Sequence, residues 1–494
     1  MFPNVKKLFK RTSLLIGGIW ASTWLYYTCQ KQYHSQNKTY LNEQQIQEIQ
    51  KSEASFFLNS NPKKERIIII GSGVIGITTA FYLLESQKYD VVLLEKNRMI
   101  SQETSYKNGC LFCPCLSEPW INQYVPKYFM KALFEKDFTI GIYGSMFHDL
   151  FTSIWIFNML PNILPSKVEI NRDKLQRMAK ISDEELKRLF STKIIDPNLV
   201  ESHIQGNLAL YEHKGQIGPG TFENKIKKGY KGEILENEAL YEKEKCLKAS
   251  NINKYKAGAL IYGDTNLNIY KFDHEIVDYL KKKYPENFTV LTNTSHENFL
   301  FSQSTQKIIG IKTNRGDLRG DHFIVAAGNH CKSVLKPLGF RIPITPVKGH
   351  ALSVPVDPKN PLLTYNVTND TTKIYMTQIA GIYRLSGAAD FQGMNYEINE
   401  KRVNQLKMFL SDMIGGTLDF EKAEGWCCLR PVSSDDVPIV SKLKGYDNLY
   451  INAGHGSKGL TLALGSGILL RDIIGGTTGK LNAKDYELDR FYLI

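Results

Sequence analysis

Residues 66–70 read RIIII, an apolar run closed by a glycine, and such a run predicts a strand buried on both faces. From Ile77 to Ser86, ITTAFYLLES places its apolar residues at helical spacing, and YDVVLLE, ending at Glu95, predicts a second buried strand. The stretch QKIIGIKTNRGDLRGDHFIVAAG predicts a strand, a turn at Asn314 to Gly316, and a strand ending at Ala326, Ala327 and Gly328. Asn448 to Gly467 (NLYINAGHGSKGLTLALGSG) repeats the order of strand, glycine-rich turn and helix. Residues 120–165 are rich in Trp, Phe, Tyr and Ile, as in FHDLFTSIWIFNMLPNIL. They predict a buried helix pair, with a membrane-facing patch as the alternative.

The N-terminal pattern differs. Leu14 to Cys29 carries no charge, Lys6, Lys7, Lys10, Arg11, Lys31 and Lys38 surround it, and Glu43 is the first acid of the chain. The uncharged run is a little shorter than the about 20 residues a bilayer span needs. Its basic, acid-free flanks predict an anchor that also carries targeting information over residues 1–30. A secretory signal and a mitochondrial presequence are the competing readings, and a buried helix, disfavoured by the polar flanks, is the remaining one. The expected location is a membrane, the mitochondrial inner membrane ahead of a bacterial-type plasma membrane. Residues 31–64, rich in Gln, Asn, Lys and Glu, are expected to form a polar tether, part of it a solvated helix.

Composition narrows the partners. The 494 residues are 42% hydrophobic and 23% charged, with a formal net charge of +12. The charge is dispersed, with no dense basic patch interleaved with aromatics, so no nucleic-acid partner is expected. The chain has 8 cysteines, too few at this length for a disulfide framework. Cys110, Cys113 and Cys115 lie close together, yet no matching CxxC or nearby histidine completes a tetrahedral set, so no metal is expected. Small residues packed beside a cofactor explain them more simply.

The first chemical signature is GSGVIG, with Gly71, Gly73 and Gly76 in the G-x-G-x-x-G spacing between the first strand and its helix. Gly71 permits the tight turn, Gly73 lets a pyrophosphate approach the backbone, and Gly76 lets helix and strand pack. The helix N-terminus offers free N–H groups to the phosphates. Glu95, at the end of the second strand, accepts hydrogen bonds from a ribose hydroxyl and disfavours a 2′-phosphate. The glycine-rich turn before the last helix aims a second helix N-terminus at a cofactor, which suits the negative charge of a reduced flavin.

Five segments in order carry a family resemblance: TSYKNG after the second strand, PVKGHALSVPV (Pro346 to Val356), IYMTQIAGIYRLSGAADF (Ile374 to Phe391), LRPVSSDDVPIV and NAGHGSKGLTLALGSG. From about Ile67 to about Gly476 the chain resembles the D-amino-acid dehydrogenases, within the FAD-dependent amine and amino-acid oxidases. The resemblance implies a mixed α/β fold: a Rossmann-type FAD-binding domain from residues 65–115, 265–343 and 425–480, and a substrate domain on an antiparallel sheet with helices from 116–264 and 344–424. Residues 481–494 would be a tail. It implies FAD as cofactor, oxidation of a D-amino acid or small amine to a 2-oxo acid and ammonia, and a quinone or protein carrier as electron acceptor. An oxygen-using amine oxidase and a flavoprotein-like structural subunit of a membrane complex are the alternatives. Three positions depart from the family pattern: Gln378 in place of a basic residue, Lys458 in place of an apolar one, and Cys110 in place of a small residue.

The expected cofactor contacts are Gly71, Gly73, Val74, Ile75 and Gly76, then Glu95 and Lys96, Gly328, and Gly454, Gly456, Ser457, Lys458, Gly459 and Leu460. The resemblance adds Ser105 and Asn108. Arg430 is the expected carboxylate anchor, since a guanidinium offers a fork matched to a carboxylate, and the family places an arginine in its RP motif. The competing role for Arg430 is an ion pair with Asp435 or Asp436. His455 is expected to pack and hydrogen-bond at the flavin edge, with no obligatory general base. Lys348 with Gly349 close to the ring, and Tyr375 and Tyr383 on a strand pair, are candidate pocket residues; the competing readings are a surface lysine at a strand end and tyrosines of plain core or surface.

Overall fold

Glu65–Ile70 is a strand, and its four isoleucines are buried because the sheet around it is covered on both faces. Its neighbours are Tyr89–Leu94 and His322–Val325, both parallel to it. Phe288–Leu291 lies outside the first of these, while Leu449–Ala453 and then the antiparallel Ile439–Lys442 lie outside the second, completing six strands. Side chains alternate along a strand. Ile67 and Ile69 therefore enter one core with the helices Val74–Glu85, Pro165–Ser191, Ile269–Lys283 and Gly459–Gly475. Ile68 and Ile70 enter the other, against Phe299, Phe301, Ile308 and Ile311 of a four-stranded sheet formed by Thr39–Leu41, His296–Ser302, Ile308–Thr313 and Gly316–Arg319. The loops leaving the C-terminal ends of the parallel strands converge at one edge, where such sheets bind ligands.

A second, nine-stranded sheet stands beside this edge. Its order is Glu424–Ser433, Ile344–Pro355, Ile382–Phe391, Ile374–Ile379, Asn366–Asn369, Asn207–Tyr211, Ala257–Ile261 and Gly232–Glu236, with Ile140–Ile142 beside Ile382–Phe391. It is antiparallel apart from the pairings of Asn366–Asn369 with Asn207–Tyr211 and of Ile140–Ile142 with its neighbour. The helix Glu400–Met413 covers one face, where Leu406, Phe409 and Leu410 pack with Leu352, Val354, Tyr383 and Leu385.

The computed structural model describes residues 38–53 and 64–492, except 135–138, 146–149, 205, 219–220, 250–253, 361, 370 and 415–416. The expected anchor over residues 1–30 lies outside the described residues; among these, no helix is long and apolar enough to cross a membrane. Four expected boundaries differ. Part of the expected tether is ordered: Thr39–Leu41 pairs with Leu300–Ser302, and Ile46 and Ile49 of the helix Glu43–Glu53 bury against Leu41 and Leu300. Glu424–Ser433 belongs to the antiparallel sheet, paired along Ile344–Ser353. Pro165–Ser191 packs Leu175, Met178 and Ala179 into the core of the parallel sheet. The C-terminal segment is docked: Tyr486 and Leu488 are buried, and Arg490 makes a two-pronged ion pair with Asp435 at 2.7 and 3.0 Å.

Candidate active site

A cavity of about 1030 Å³ runs from Gly71 and Glu95, along the ends of the parallel strands, to Arg430 on the antiparallel sheet. At its first end Glu95 is held in place. The Ser72 hydroxyl donates to its Oε2 at 2.5 Å, and the Asn97 backbone N–H donates to its Oε1 at 2.8 Å. A carboxylate has about four acceptor positions, so Glu95 retains capacity for a ribose hydroxyl. The helix Val74–Glu85 begins at Gly73 without a side-chain cap; Ser105 takes the Val74 N–H at 3.1 Å. The remaining orphan N–H groups and the positive end of the helix face the cavity, a ready anion site. A side chain on Gly73 would reach within 3.3 Å of Ser105 Oγ and intrude on that approach.

The structure brings most of the expected contacts to this one cavity. Gly71, Gly73, Val74, Ile75, Glu95, Lys96, Ser105, Asn108, Gly328 and the whole turn Gly454 to Leu460 line it. Gly76 does not; a β-carbon there would stand 1.9 Å from the Gly71 carbonyl oxygen, so its role is helix–strand packing. Lys96 is engaged with Glu103 at 2.6 Å. Asn108 accepts the Cys110 N–H at 2.8 Å and so shapes the loop. Of the three clustered cysteines, Cys113 lines the cavity, while Cys115 donates its S–H to the buried Asp264. An elongated cavity with a ribose acceptor, an uncapped helix N-terminus and a second helix start at Gly459 fits FAD along its length.

At the other end Arg430 donates from Nη1 to the Ala388 carbonyl at 2.7 Å, and its Cζ lies 5.5 Å from the Trp120 ring centroid. Asp435 and Asp436, the competing partners, are both spent elsewhere. Asp435 binds Arg490, and the fully buried Asp436 binds Lys458 at 2.5 Å. Among the described residues no carboxylate pairs with Arg430, which leaves its fork for a ligand. Asp436 also accepts the Trp120 backbone N–H at 2.6 Å, and Lys458 Nζ lies 5.6 Å from the same ring. His455 is buried, with Nε2 at 3.0 Å from Ser466 Oγ. Burial pushes its imidazole down to about 3, so it is neutral at ordinary pH and ill suited to hold a proton.

Two expected pocket residues are corrected. Lys348 does not line the cavity; it is buried on the other face of its strand, donating to Asn395 Oδ1 at 2.6 Å and Gln392 Oε1 at 3.3 Å. Tyr383 is wholly buried in the core under the antiparallel sheet. Tyr375 does line the cavity. The difference is one of register. Tyr375 pairs with Ser386, whereas Tyr383 pairs with Gln378, an odd number of residues away along the strand and hence on the opposite face. Sequence reasoning missed Trp120, Ala388 and His350, which line the site, and the part of Gly349, beside Arg430. The DD pair after the arginine was visible, but nothing in one dimension shows that Lys458 folds back onto it.

The comparisons with known proteins agree with this geometry. Residues 66–473 match the family model described as DAO, FAD dependent oxidoreductase. A D-amino acid dehydrogenase from Azorhizobium caulinodans is 30% identical over 430 residues, covering 86% of this chain and 100% of that protein. A D-amino acid dehydrogenase from Allorhizobium ampelinum is likewise 30% identical over 430 residues, covering 86% of this chain and 98% of that one. Glycine oxidase from Bacillus cereus shares the fold, with a TM-score of 0.63 at 17% identity, covering 87% of this chain and 100% of that one. A cavity built for a flavin dinucleotide and a family match over most of the chain lead to one conclusion: the chain belongs to the FAD-dependent oxidoreductase (DAO) family and is an FAD-dependent enzyme.

Proposed function

We propose that the protein is a D-amino-acid dehydrogenase that oxidises its substrate to a 2-oxo acid and ammonia. The observation that carries this reading is Arg430, a guanidinium in the cavity with no carboxylate partner among the described residues, Asp435 and Asp436 each being committed to another cation. It is positioned to take the substrate carboxylate through paired hydrogen bonds. FAD, when bound, supplies the acceptor for the hydride leaving the amine-bearing carbon. The protein's part is to bind, orient and exclude water. The neutral His455 fits this division of labour, since the deprotonated amine itself provides the electron push. The similarity to D-amino acid dehydrogenases over 86% of the chain supports the substrate class.

The acceptor we propose is a lipid quinone. The outer cavity wall is apolar, formed by Val125, Phe129, Met130, Leu160 and Ile163, and Met130, Phe134, Leu160 and Leu164 are exposed on the elements that form it. Such a surface suits contact with a membrane, and the basic N-terminal segment supports tethering there, with the mitochondrial inner membrane as the proposed site.

Anaerobic addition of D- and L-amino acids to the yellow holoenzyme tests the reading. Bleaching of the flavin band by D-amino acids, with re-oxidation by a soluble quinone faster than by air, is expected. A colourless protein, or bleaching by L-enantiomers alone, overturns it; stoichiometric peroxide in air identifies an oxidase instead.

A further inference from the structure

We propose that the compartment beside Arg430 selects amino acids with a single carboxylate and a bulky apolar side chain, aromatic, branched or thioether. The inference rests on the amino-acid reading above and names the substrate within that class.

The first support is a charge count. Two cations approach the Trp120 ring, Arg430 at 5.5 Å and Lys458 at 5.6 Å. The charge of Lys458 is taken by Asp436, at 2.5 Å and fully buried. Among the described residues, Arg430 meets the Ala388 carbonyl and the ring face and pairs with no carboxylate. One positive charge is unspent, and it matches one carboxylate. A second carboxylate turned toward the wall of Trp155, Val347, Val432 and Phe391 would leave water among apolar groups, and burying an unpaired charge is strongly unfavourable. A basic side chain would sit in the same compartment as the unpaired Arg430 and be repelled.

The second support is the wall. Trp120, Trp155, Val347, Val432 and Phe391 line the cavity, and Val347 is the cross-strand partner of Arg430 itself. Trp155 and Phe391 have ring centroids 6.0 Å apart. The indole N–H of Trp155 is spent on the Val432 carbonyl at 2.9 Å, so this ring offers a substrate carbon and no donor. Large rigid rings around an anchored carboxylate reward side chains that fill the space. Each added methylene in such a pocket is worth about 10- to 200-fold in discrimination.

The test is the reductive half-reaction of the holoenzyme, followed anaerobically by stopped flow with D-phenylalanine, D-leucine, D-methionine, D-alanine, D-aspartate and D-lysine. The apolar three are expected to exceed D-alanine by at least about a hundredfold, and D-aspartate and D-lysine by a similar or larger factor, in reduction rate over dissociation constant. D-aspartate or D-lysine reducing the flavin as well as D-leucine overturns this inference and leaves the proposed activity standing. A yellow enzyme that none of the six bleaches overturns both. Phe391→Ala is expected to shrink the preference for D-phenylalanine over D-alanine by about tenfold, and Phe391→Leu to restore most of it. An unchanged preference in Phe391→Ala with flavin bound also overturns the inference, and the wild-type panel decides by itself where that variant does not fold.

Discussion

Arg430 lies against Gly349: a β-carbon built on that glycine would stand 2.2 Å from Arg430 Nη2 and 2.3 Å from its Cζ. The two residues sit on adjacent strands, in a register that pairs Val347 with Arg430 and Gly349 with Cys428. Gly349→Ala should therefore displace the guanidinium while leaving the nucleotide end of the cavity intact. The expected result is a rise in the substrate dissociation constant of about tenfold or more with flavin content unchanged, against about ten- to hundredfold for Arg430→Ala, the range set by a lost charged hydrogen bond. Titration of flavin bleaching at fixed enzyme concentration measures both.

Gly71 and Gly73 separate folding from cofactor binding. A β-carbon on Gly71 would lie 2.6 Å from the Ala326 carbonyl oxygen, at a φ of +111°. Gly71→Ala is expected to destabilise the parallel sheet itself. Gly73→Ala meets only Ser105 Oγ, at 3.3 Å, and should fold with native circular dichroism but lose the yellow colour.

The Asp436–Lys458 pair is a buried ion pair, so breaking it from one side costs about 3–5 kcal/mol. Lys458→Met is expected to lower stability by that amount in urea denaturation of the holoenzyme. Pairing it with Asp436→Asn should recover most of the loss, because no buried charge is then left alone. Asparagine also tolerates the left-handed backbone at this position, where φ is +61°.

His455 gives a pH dependence of known sign. Its folded value, about 3, is below the ordinary 6.5. Between these values the unfolded chain binds the proton and the native state does not, so this residue's contribution is lost as pH falls from 6.5 towards 3. Buried carboxyls such as Asp264, raised by burial to about 6, act in the opposite direction. The quantity to measure is therefore a difference. His455→Gln should gain stability relative to the parent as pH is lowered through this window, by up to about 1.4 kcal/mol per pH unit. A pH-independent difference would contradict the buried neutral imidazole.

The nucleotide end of the site was legible because its signals are local. RIIII, three glycines, a helix and Glu95 follow one another within one supersecondary unit, and each has a period or a spacing of its own. The substrate end depends on pairings between distant strands. Tyr375 and Tyr383 are separated by the turn at Ala380 and Gly381, and the register across it sends them to opposite faces. Lys348 stands out in the sequence by its charge, whereas its neighbour Gly349 acts through the side chain it lacks, which only the packing against Arg430 reveals. The polar stretch allows the helix Glu43–Glu53 but not its packing, since only Ile46 and Ile49, three apart, mark the buried side.

The Arg490–Asp435 clasp places a late-made residue in charge of an early requirement. Asp435 adjoins Asp436, and Asp436 holds both Lys458 and the Trp120 backbone. As the polypeptide leaves the ribosome, strands and glycine turn for the dinucleotide emerge long before this clasp can close, and domains generally assemble in the order they are made. A chain truncated after Gly475 would keep every strand of the parallel sheet yet lack the guanidinium that fixes the Asp435–Asp436 turn. The dinucleotide end of the cavity and the turn that backs its substrate end thus draw on different stretches of the chain, the latter on a cation 55 residues further along.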